Sequence, residues 1–365
     1  MKILHIIYDD TRNHWCGGGG ALRTRKINEH LSSNNKIIVL TGNFPKAQNE
    51  TINGVDYIRV GSQTSYLVSR ITFTLLIPFY MRKFKSDVVV NDVSYFSPCF
   101  AGLYTNRPVV HIIHHLIGRH SFRLYSFLGL FPFTAEKIFL KTCNNIITSA
   151  EGVEQSIQKR YRNTKTRAIP NGVSETLFQM RPVETSFVLF LGRIDIYMKG
   201  LDILLESFAR VKNRDIVLKI AGSGKRKDVR QLHRLIRRPP LKGRVEILGR
   251  VNEQEKRELL RTCLFVVMPS RFEGWGIVAL EANAVGKPVL GTAIPGLSEA
   301  VEPGKTALLV EPDDIEKLAN AMNLLIKRSD LRTAFGRRGR VWAQKFSWES
   351  IAQEQFAFYK SLVKM

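Results

Sequence analysis

Short runs of β-branched and aliphatic residues recur along this chain, separated by longer amphipathic stretches, and the whole series occurs twice. In the first half the runs fall at residues 3–8, 37–41, 55–60, 88–91, 109–113 and 146–149. The second series falls at 187–191, 216–221, 245–248, 264–268, 289–291 and 307–310. Parallel strands must be joined by crossovers of about a dozen residues or more, which helices supply, so this alternation predicts parallel sheets with helices on their faces. A series that restarts predicts two such sheets, each doubly wound. The 365 residues suit two α/β domains better than one.

The boundary falls at Ile169-Pro170-Asn171-Gly172-Val173, a turn sequence followed by an irregular stretch. The expected division is an N-terminal domain over 1–170, a linker over 171–186, and a C-terminal domain over 187–346. A helical pattern over about 347–363 follows the last strand with none after it, so 347–365 reads as a terminal helix that must dock elsewhere.

Formal charge is the unusual feature of the composition: +23, with 55 Lys and Arg against 32 Asp and Glu. Residues 1–182 hold 23 of those cations and 11 of the acids, leaving 32 and 21 for the remainder, so there is no basic tail. A folded protein this basic is drawn to polyanions: nucleic acid, an anionic membrane surface or a phosphorylated ligand. Cys16, Cys99, Cys143 and Cys263 lack the paired spacing of a zinc or redox site and read as reduced, packed thiols. The apolar start of the chain is short and soon meets Asp9 and Asp10, unlike a signal peptide, which makes a cytoplasmic protein the expectation.

Nothing offers 18 uninterrupted apolar residues, so no span of a bilayer is expected. Two stretches come nearest. Residues 66–81 are broken by Arg70 and Pro78 and followed by Arg82, Lys83 and Lys85; residues 121–140 mix Phe122, Phe127, Phe131 and Phe133 with Arg123 and Lys137. Each reads either as a helix half-buried in the N-terminal domain or as a basic, aromatic surface for an anionic membrane.

In open α/β sheets ligands sit beyond the carboxyl ends of the strands, so the loops there carry the chemistry. After the first strand comes Trp15-Cys16-Gly17-Gly18-Gly19-Gly20-Ala21, leading into a helix expected to start near Leu22. It serves equally as a flexible turn or as a phosphate cradle at a helix N-terminus. His114 and His115 follow the strand 109–113, where a histidine bonds either a substrate or neighbouring carbonyls; His111, mid-strand, reads as core.

In the second half, the strand 187–191 runs into Gly192-Arg193, and Lys199-Gly200 precede a helix. Two cations at a strand's carboxyl end suit a diphosphate. Gly222, after the next strand, repeats the strand-to-glycine pattern. The richest segment is Pro269-Ser270-Arg271-Phe272-Glu273-Gly274-Trp275-Gly276, continuing through a helix to Glu281. Glu273 falls in the loop and Glu281 in the helix, separated by about 12 Å along the axis if both follow helical spacing. Glu281, set among Ile277 to Leu280, would be costly to bury without hydrogen-bond donors, and ribose hydroxyls are a fitting set.

Together these residues resemble the retaining glycosyltransferases of family four, the glycosyl transferases group 1. The resemblance is carried by Glu273 and Glu281 with Pro269-Ser270 before them and Gly286-Lys287-Pro288-Val289 after them. Gly192-Arg193, Lys199-Gly200, Pro170-Asn171-Gly172-Val173, Gly296, Glu299, Gly304 and residues 309–314 add to it. It implies the GT-B fold, two Rossmann-like domains facing a central cleft, with the terminal helix crossing back to the N-terminal domain. It implies that Arg193 and Lys199 hold the diphosphate of a nucleotide sugar, that Glu281 binds its ribose, and that Glu273 contacts the transferred sugar. Backbone amides of Gly274, Trp275 and Gly276 would assist, Gly19 and Gly20 would approach the diphosphate or the acceptor, and His114 matches the family's histidine near the reacting sugar. Members commonly read His-Asp where this chain reads His114-His115, so His115 has no assigned role. The family needs no catalytic metal, and no Asp-x-Asp motif occurs here.

The function so implied is metal-independent transfer of a sugar, with retention, from a nucleotide-diphosphate sugar to an acceptor hydroxyl in polysaccharide, glycolipid or other glycoconjugate synthesis. The positive charge suits an acceptor that is lipid-linked or anionic, met at the cytoplasmic membrane face. Two rivals stay open: a nucleotide-sugar epimerase of the same fold, and a nucleic-acid-directed glucosyltransferase, although no DNA-binding motif is visible.

Overall fold

The computed structural model describes residues 1–94, 100–116, 118, 121–122 and 126–363. Cys99, Arg123, Leu124 and Tyr125, singled out above or lying within those stretches, are outside the described residues. The chain divides into two compact units, Met1–Asn171 with Trp348–Met365, and Gly172–Ser347.

Unit 1 is built on β1 (Lys2–Ile6), β2 (Lys36–Gly42), β3 (Glu50–Ile52), β4 (Val55–Val60), β5 (Val88–Asp92), β6 (Val109–Ile113), β7 (Asn145–Thr148) and β8 (Lys165–Ala168). They form one sheet in the order β3-β4-β2-β1-β5-β6-β7-β8, parallel except for β3. Two strands went unseen in the sequence. β3 is three residues long and turns into β4 through Asn53 and Gly54, both at positive φ as a tight hairpin demands. β8 reads Lys-Thr-Arg-Ala, the polar composition of an exposed edge.

Its helices are α1 (Gly19–Leu31), α2 (Tyr66–Lys83), α3 (Leu130–Thr142) and α4 (Glu151–Gln158), joined from the far end of the chain by Trp348–Lys360. Strand alternation sorts them by face. Ile3, Val88, Val90 and Ile112 point to one side, where Ile27 of α1 and Ile351 and Tyr359 of the terminal helix pack on them. Leu4, Ile6, Val89 and Val109 point to the other, under Phe73 and Ile77 of α2. Ile113 shares the parity of Val109, and Phe139 and Leu140 of α3 lie on it, so α2 and α3 cover the same face.

The fully buried Arg23 of α1 ties the terminal helix down. It donates to the carbonyls of Ile169 and Pro170 at 3.0 and 2.6 Å, to Asn171 Oδ1 at 2.9 Å and to Gln355 Oε1 at 2.5 Å. Burial pulls its guanidinium down to about 10.

Unit 2 is a six-stranded parallel sheet of β9 (Phe187–Leu191), β10 (Val217–Ala221), β11 (Val245–Gly249), β12 (Val266–Met268), β13 (Val289–Thr292) and β14 (Ala307–Val310), in the order β11-β10-β9-β12-β13-β14. Its helices are α5 (Leu201–Ala209), α6 (Arg226–Ile236), α7 (Glu253–Thr262), α8 (Ile277–Val285), α9 (Pro295–Ala300), α10 (Ile315–Lys327) and α11 (Ser329–Ala343); the terminal helix is then α12. The stretch expected as a linker over 171–186 is mostly exposed but anchored at points along its length. Val173 and Leu177 enter the core of unit 2, and Glu184 pairs with Arg332 at 2.5 Å.

Candidate active site

Each sheet has one point where the chain, having built outward in one direction, returns to build in the other. In unit 1 it lies between β1 and β5, in unit 2 between β9 and β12. The loops leaving these strand pairs at their carboxyl ends diverge and leave a crevice, the usual ligand position in such sheets.

In unit 2 the cation and carboxylate assigned to opposite parts of one ligand meet there. Lys199, after β9, donates to Glu273 Oε2, after β12, at 2.5 Å. Their side chains are 17 and 15 % exposed, so the pair sits at the surface of the crevice rather than in the core. Arg193, on the same loop as Lys199, is exposed and makes no ion pair with any described residue.

The loop bearing Glu273 is held from beneath by Arg271, which the sequence displayed without revealing its task. Its guanidinium forks onto both oxygens of Asp202 at 2.9 and 2.8 Å, reaches the Tyr197 carbonyl at 2.8 Å and meets Asp313 at 2.6 Å. Its amide bonds to the Met198 carbonyl at 3.1 Å, joining this loop to the one carrying Lys199. Gly276 caps α8 in the left-handed conformation, φ 76°, which a side chain would strain. The first amides of α8 beyond it have no intrahelical acceptor and form an anion-favouring N-terminus. The ring of Trp275 is buried against Phe346, leaving only its backbone for a ligand.

Glu281 lies inside α8, 6 % exposed, and accepts from Lys256 Nζ of α7 at 2.8 Å. Burial lifts its carboxyl above the ordinary range, with the charge of Lys256 opposing. For Lys256 burial works against the ammonium, but Glu281 and Glu253 outweigh it and hold it above its usual value. Lys256 has no motif to announce it: α7 begins with an Asn252 capping box and the lysine falls in its first turn, just after the box.

Gly222 takes a different part from the one expected. Its amide donates to the Gly249 carbonyl at 2.7 Å, and a Cβ there would stand 1.7 Å from the Gly192 carbonyl oxygen. It lets two loops cross at close quarters and has no amide left for a donor.

In unit 1 the helix after the glycine loop starts at Gly19, three residues before the expected Leu22, with Gly18 as its cap. Gly19 and Gly20 are therefore first-turn residues whose amides lack intrahelical acceptors. Gly20 does a second thing: a Cβ on it would lie 3.0 Å from His114 Nε2.

His114 is 22 % exposed and its Nε2 donates to Asp92 Oδ1 at 2.7 Å. Asp92 ends β5 with its side chain 6 % exposed, and its other oxygen takes His5 Nε2 at 2.7 Å and the Thr24 hydroxyl at 3.1 Å. His5 in turn accepts at Nδ1 from the Asn28 amide at 3.1 Å, which places its proton on Nε2. Burial alone would raise the Asp92 carboxyl; the two imidazoles outweigh it and hold it well below the usual range. Asp92 was missed because the strand was read only as far as Asn91, yet a carboxylate closing a strand beside the switch point was a signal.

His111 is core, as expected: buried, bonded to Asn91 at 3.2 Å, edge-on to Phe139, and pushed down to about 4 by burial. His115 is exposed. Cys143 and Cys263 are buried free thiols and Cys16 a half-buried one, each pushed up to about 12 by burial.

Residues 178–342 match the family model described as glycosyl transferases group 1, and residues 17–177 that of glycosyltransferase family 4. An uncharacterised glycosyltransferase of Methanocaldococcus jannaschii is 29 % identical over 76 % of each chain. A D-inositol 3-phosphate glycosyltransferase of Corynebacterium urealyticum is 32 % identical over 50 % of this chain and 45 % of its own. Among solved structures, sucrose-phosphate synthase from Thermosynechococcus elongatus superposes with a TM-score of 0.85 at 23 % identity, covering 99 % of this chain and 98 % of its own. HepE of Anabaena in complex with UDP-glucose does so with 0.78 at 20 %, covering 99 % of this chain and 100 % of its own.

Proposed function

Because the chain belongs to glycosyltransferase family four and has its GT-B architecture, we propose that this glycosyltransferase acts with retention and without a metal, on a nucleotide-diphosphate sugar. The observation that carries the reading is the meeting of Lys199 and Glu273 at the switch point of unit 2, with Glu281 on the helix that follows. A cation for the diphosphate, a carboxylate for sugar hydroxyls and a second carboxylate for ribose are then supplied by one sheet edge.

The hard step is cleavage between the anomeric carbon and the diphosphate, which leaves negative charge on the leaving group. Lys199, Arg193 and the N-terminus of α8 are fixed charges and dipoles of the right sign to stabilise it, and one preorganised donor is worth about 3 kcal/mol. Attack comes from the face of the departing diphosphate, whose oxygen takes the acceptor's proton, while Glu273 orients the sugar. Its bond to Lys199 keeps it an acceptor of hydroxyl hydrogen bonds rather than a nucleophile. His114 is the unit 1 residue assigned to the transferred sugar.

The acceptor is a lipid-linked or otherwise anionic glycoconjugate precursor met at the cytoplasmic membrane face, a reading supported by the +23 charge. UDP-glucose, the ligand of HepE, is the first donor to try beside GDP and ADP sugars. A nucleotide sugar that binds raises the melting temperature by mass action. Turnover should survive EDTA, and the product anomer, read by NMR, should match the donor's. No stabilisation by any nucleotide sugar would sink the reading, an inverted anomer would remove retention, and an isomerised donor without acceptor would favour the epimerase.

A further inference from the structure

Two helices of unit 1 are apolar on the side that the sheet does not cover. α2 turns Ser69, Phe73, Ile77 and Met81 into the domain. Two residues out of step run Leu67, Ile71, Leu75 and Phe79, each between 51 and 72 % exposed. Four side chains at four-residue spacing make one continuous stripe along a helix. On α3, Leu130, Phe131 and Ile138 are 55 to 62 % exposed. Both helices lie on the same face of the sheet, so the stripes belong to one side of the unit.

The exposed charge on these two helices has one sign. α2 contains no acidic residue and runs on into exposed Arg82, Lys83 and Lys85. The one acid of α3, Glu136, is buried and accepts from the Gly118 amide at 3.1 Å, whereas Lys137 and Lys141 are exposed. Apolar stripes bordered by cations are what a helix needs to lie in the plane of an anionic bilayer, with the stripe at the acyl boundary and the cations among headgroups.

We propose that this face of unit 1 docks on an anionic lipid bilayer, with Leu67, Ile71, Leu75 and Phe79 entering it and Arg82, Lys83, Lys85, Lys137 and Lys141 pairing with its headgroups. The contact is interfacial, since among the described residues no helix is long and apolar enough to cross a membrane. A second copy of the chain fits the face less well, because pairing two such faces would bring cations together with no exposed acid on either helix to answer them. The proposal deepens the proposed function by naming the surface that meets the acceptor's membrane, and rests on that reading only for what the membrane holds.

The test is co-sedimentation of the full chain with vesicles of phosphatidylcholine containing phosphatidylglycerol, and with phosphatidylcholine alone. The chain should pellet with the first and much less with the second. The Leu75→Glu/Phe79→Glu double variant, altered only at exposed positions, should keep its melting temperature and lose at least about tenfold in partitioning. Failure to pellet with either vesicle, or equal pelleting of variant and wild type, overturns the proposal. So does a wild-type dimer in sedimentation velocity that the variant dissolves, which would assign the face to a second copy. Stabilisation by nucleotide sugars, measured on the same samples, separates the two readings: stabilisation without vesicle binding defeats only the docking face, and vesicle binding without stabilisation defeats only the proposed donor chemistry.

Discussion

Asp92 holds His114 by a single ring nitrogen: Nε2 donates to Oδ1 at 2.7 Å, leaving Nδ1 as the nitrogen not engaged with the carboxylate. Because His5 and Thr24 occupy the other oxygen, Asp92 cannot turn to release it. Asp92→Asn keeps the shape but makes one contact a clash of donors, so the imidazole must reverse its tautomer or swing away. Steady-state kinetics should show kcat lower by about a hundredfold with the donor KM within about threefold. A matched loss in KM would mark a merely structural role. Stability follows with a definite sign. Since the folded carboxyl lies below its unfolded value of about 3.9, Asp92 stabilises the protein above that pH and the contribution is lost as pH falls toward the folded value. Acid unfolding of the Asn variant should lack that component.

Gly20→Ala places a methyl 3.0 Å from His114 Nε2, in the middle of a turn that otherwise welcomes alanine. Melting temperature should change by only a few degrees while kcat falls about tenfold. In the His114→Ala background the same substitution should cost almost nothing further, and additive losses would show that Gly20 acts elsewhere.

Lys256→Met removes the partner of Glu281 and leaves a buried carboxyl already lifted by burial. Its value must rise further, so a larger share is protonated at neutral pH. We expect the nucleotide-sugar KM to rise at least about tenfold, recovering as pH increases, with stability lower by about 3 kcal/mol. A KM that stays flat with pH would separate Glu281 from the ribose.

Arg193→Ala and Lys199→Ala should each lower turnover about a hundredfold, the effect of one lost preorganised donor. Unchanged kinetics in purified protein would remove the diphosphate from these residues.

Arg23→Leu strands the Pro170 carbonyl and Gln355 in a closed interior. A cost of about 3 kcal/mol, or roughly 10 °C in Tm, is expected by thermal unfolding, with donor stabilisation of the surviving fold unaffected.

The sequence displayed those features that repeat with a period or follow a strand. Buried parallel strands announce themselves as unbroken apolar runs, Val- and Ile-rich in β5 and β6 and Phe-Val-Leu-Phe-Leu in β9, so these were readable; β3 and β8 are short, polar edges with little apolar pattern. Lys199, Glu273 and Glu281 stood out because a charge after a strand, or inside an apolar helix, needs a reason. Lys256 and His5 gave no such sign: one is a lysine in a charged helix, the other a histidine in a hydrophobic strand. Their partners are 25 and 87 residues away, set by tertiary packing that no local spacing records. Gly222 shows the converse. A glycine after a strand looked like a ligand contact, and the crowding that requires it comes from another loop.

The seat of Arg23 also bears on how the chain acquires its structure. Unit 2 is one continuous stretch, Gly172–Ser347, and its core closes on itself. Unit 1 is interrupted: α12, which covers one face of its sheet and takes the Arg23 guanidinium through Gln355, is made only after all of unit 2. During synthesis the first-made domain must therefore wait with one of the four acceptors of its buried cation missing and an apolar face open, while the second-made domain is already free to finish.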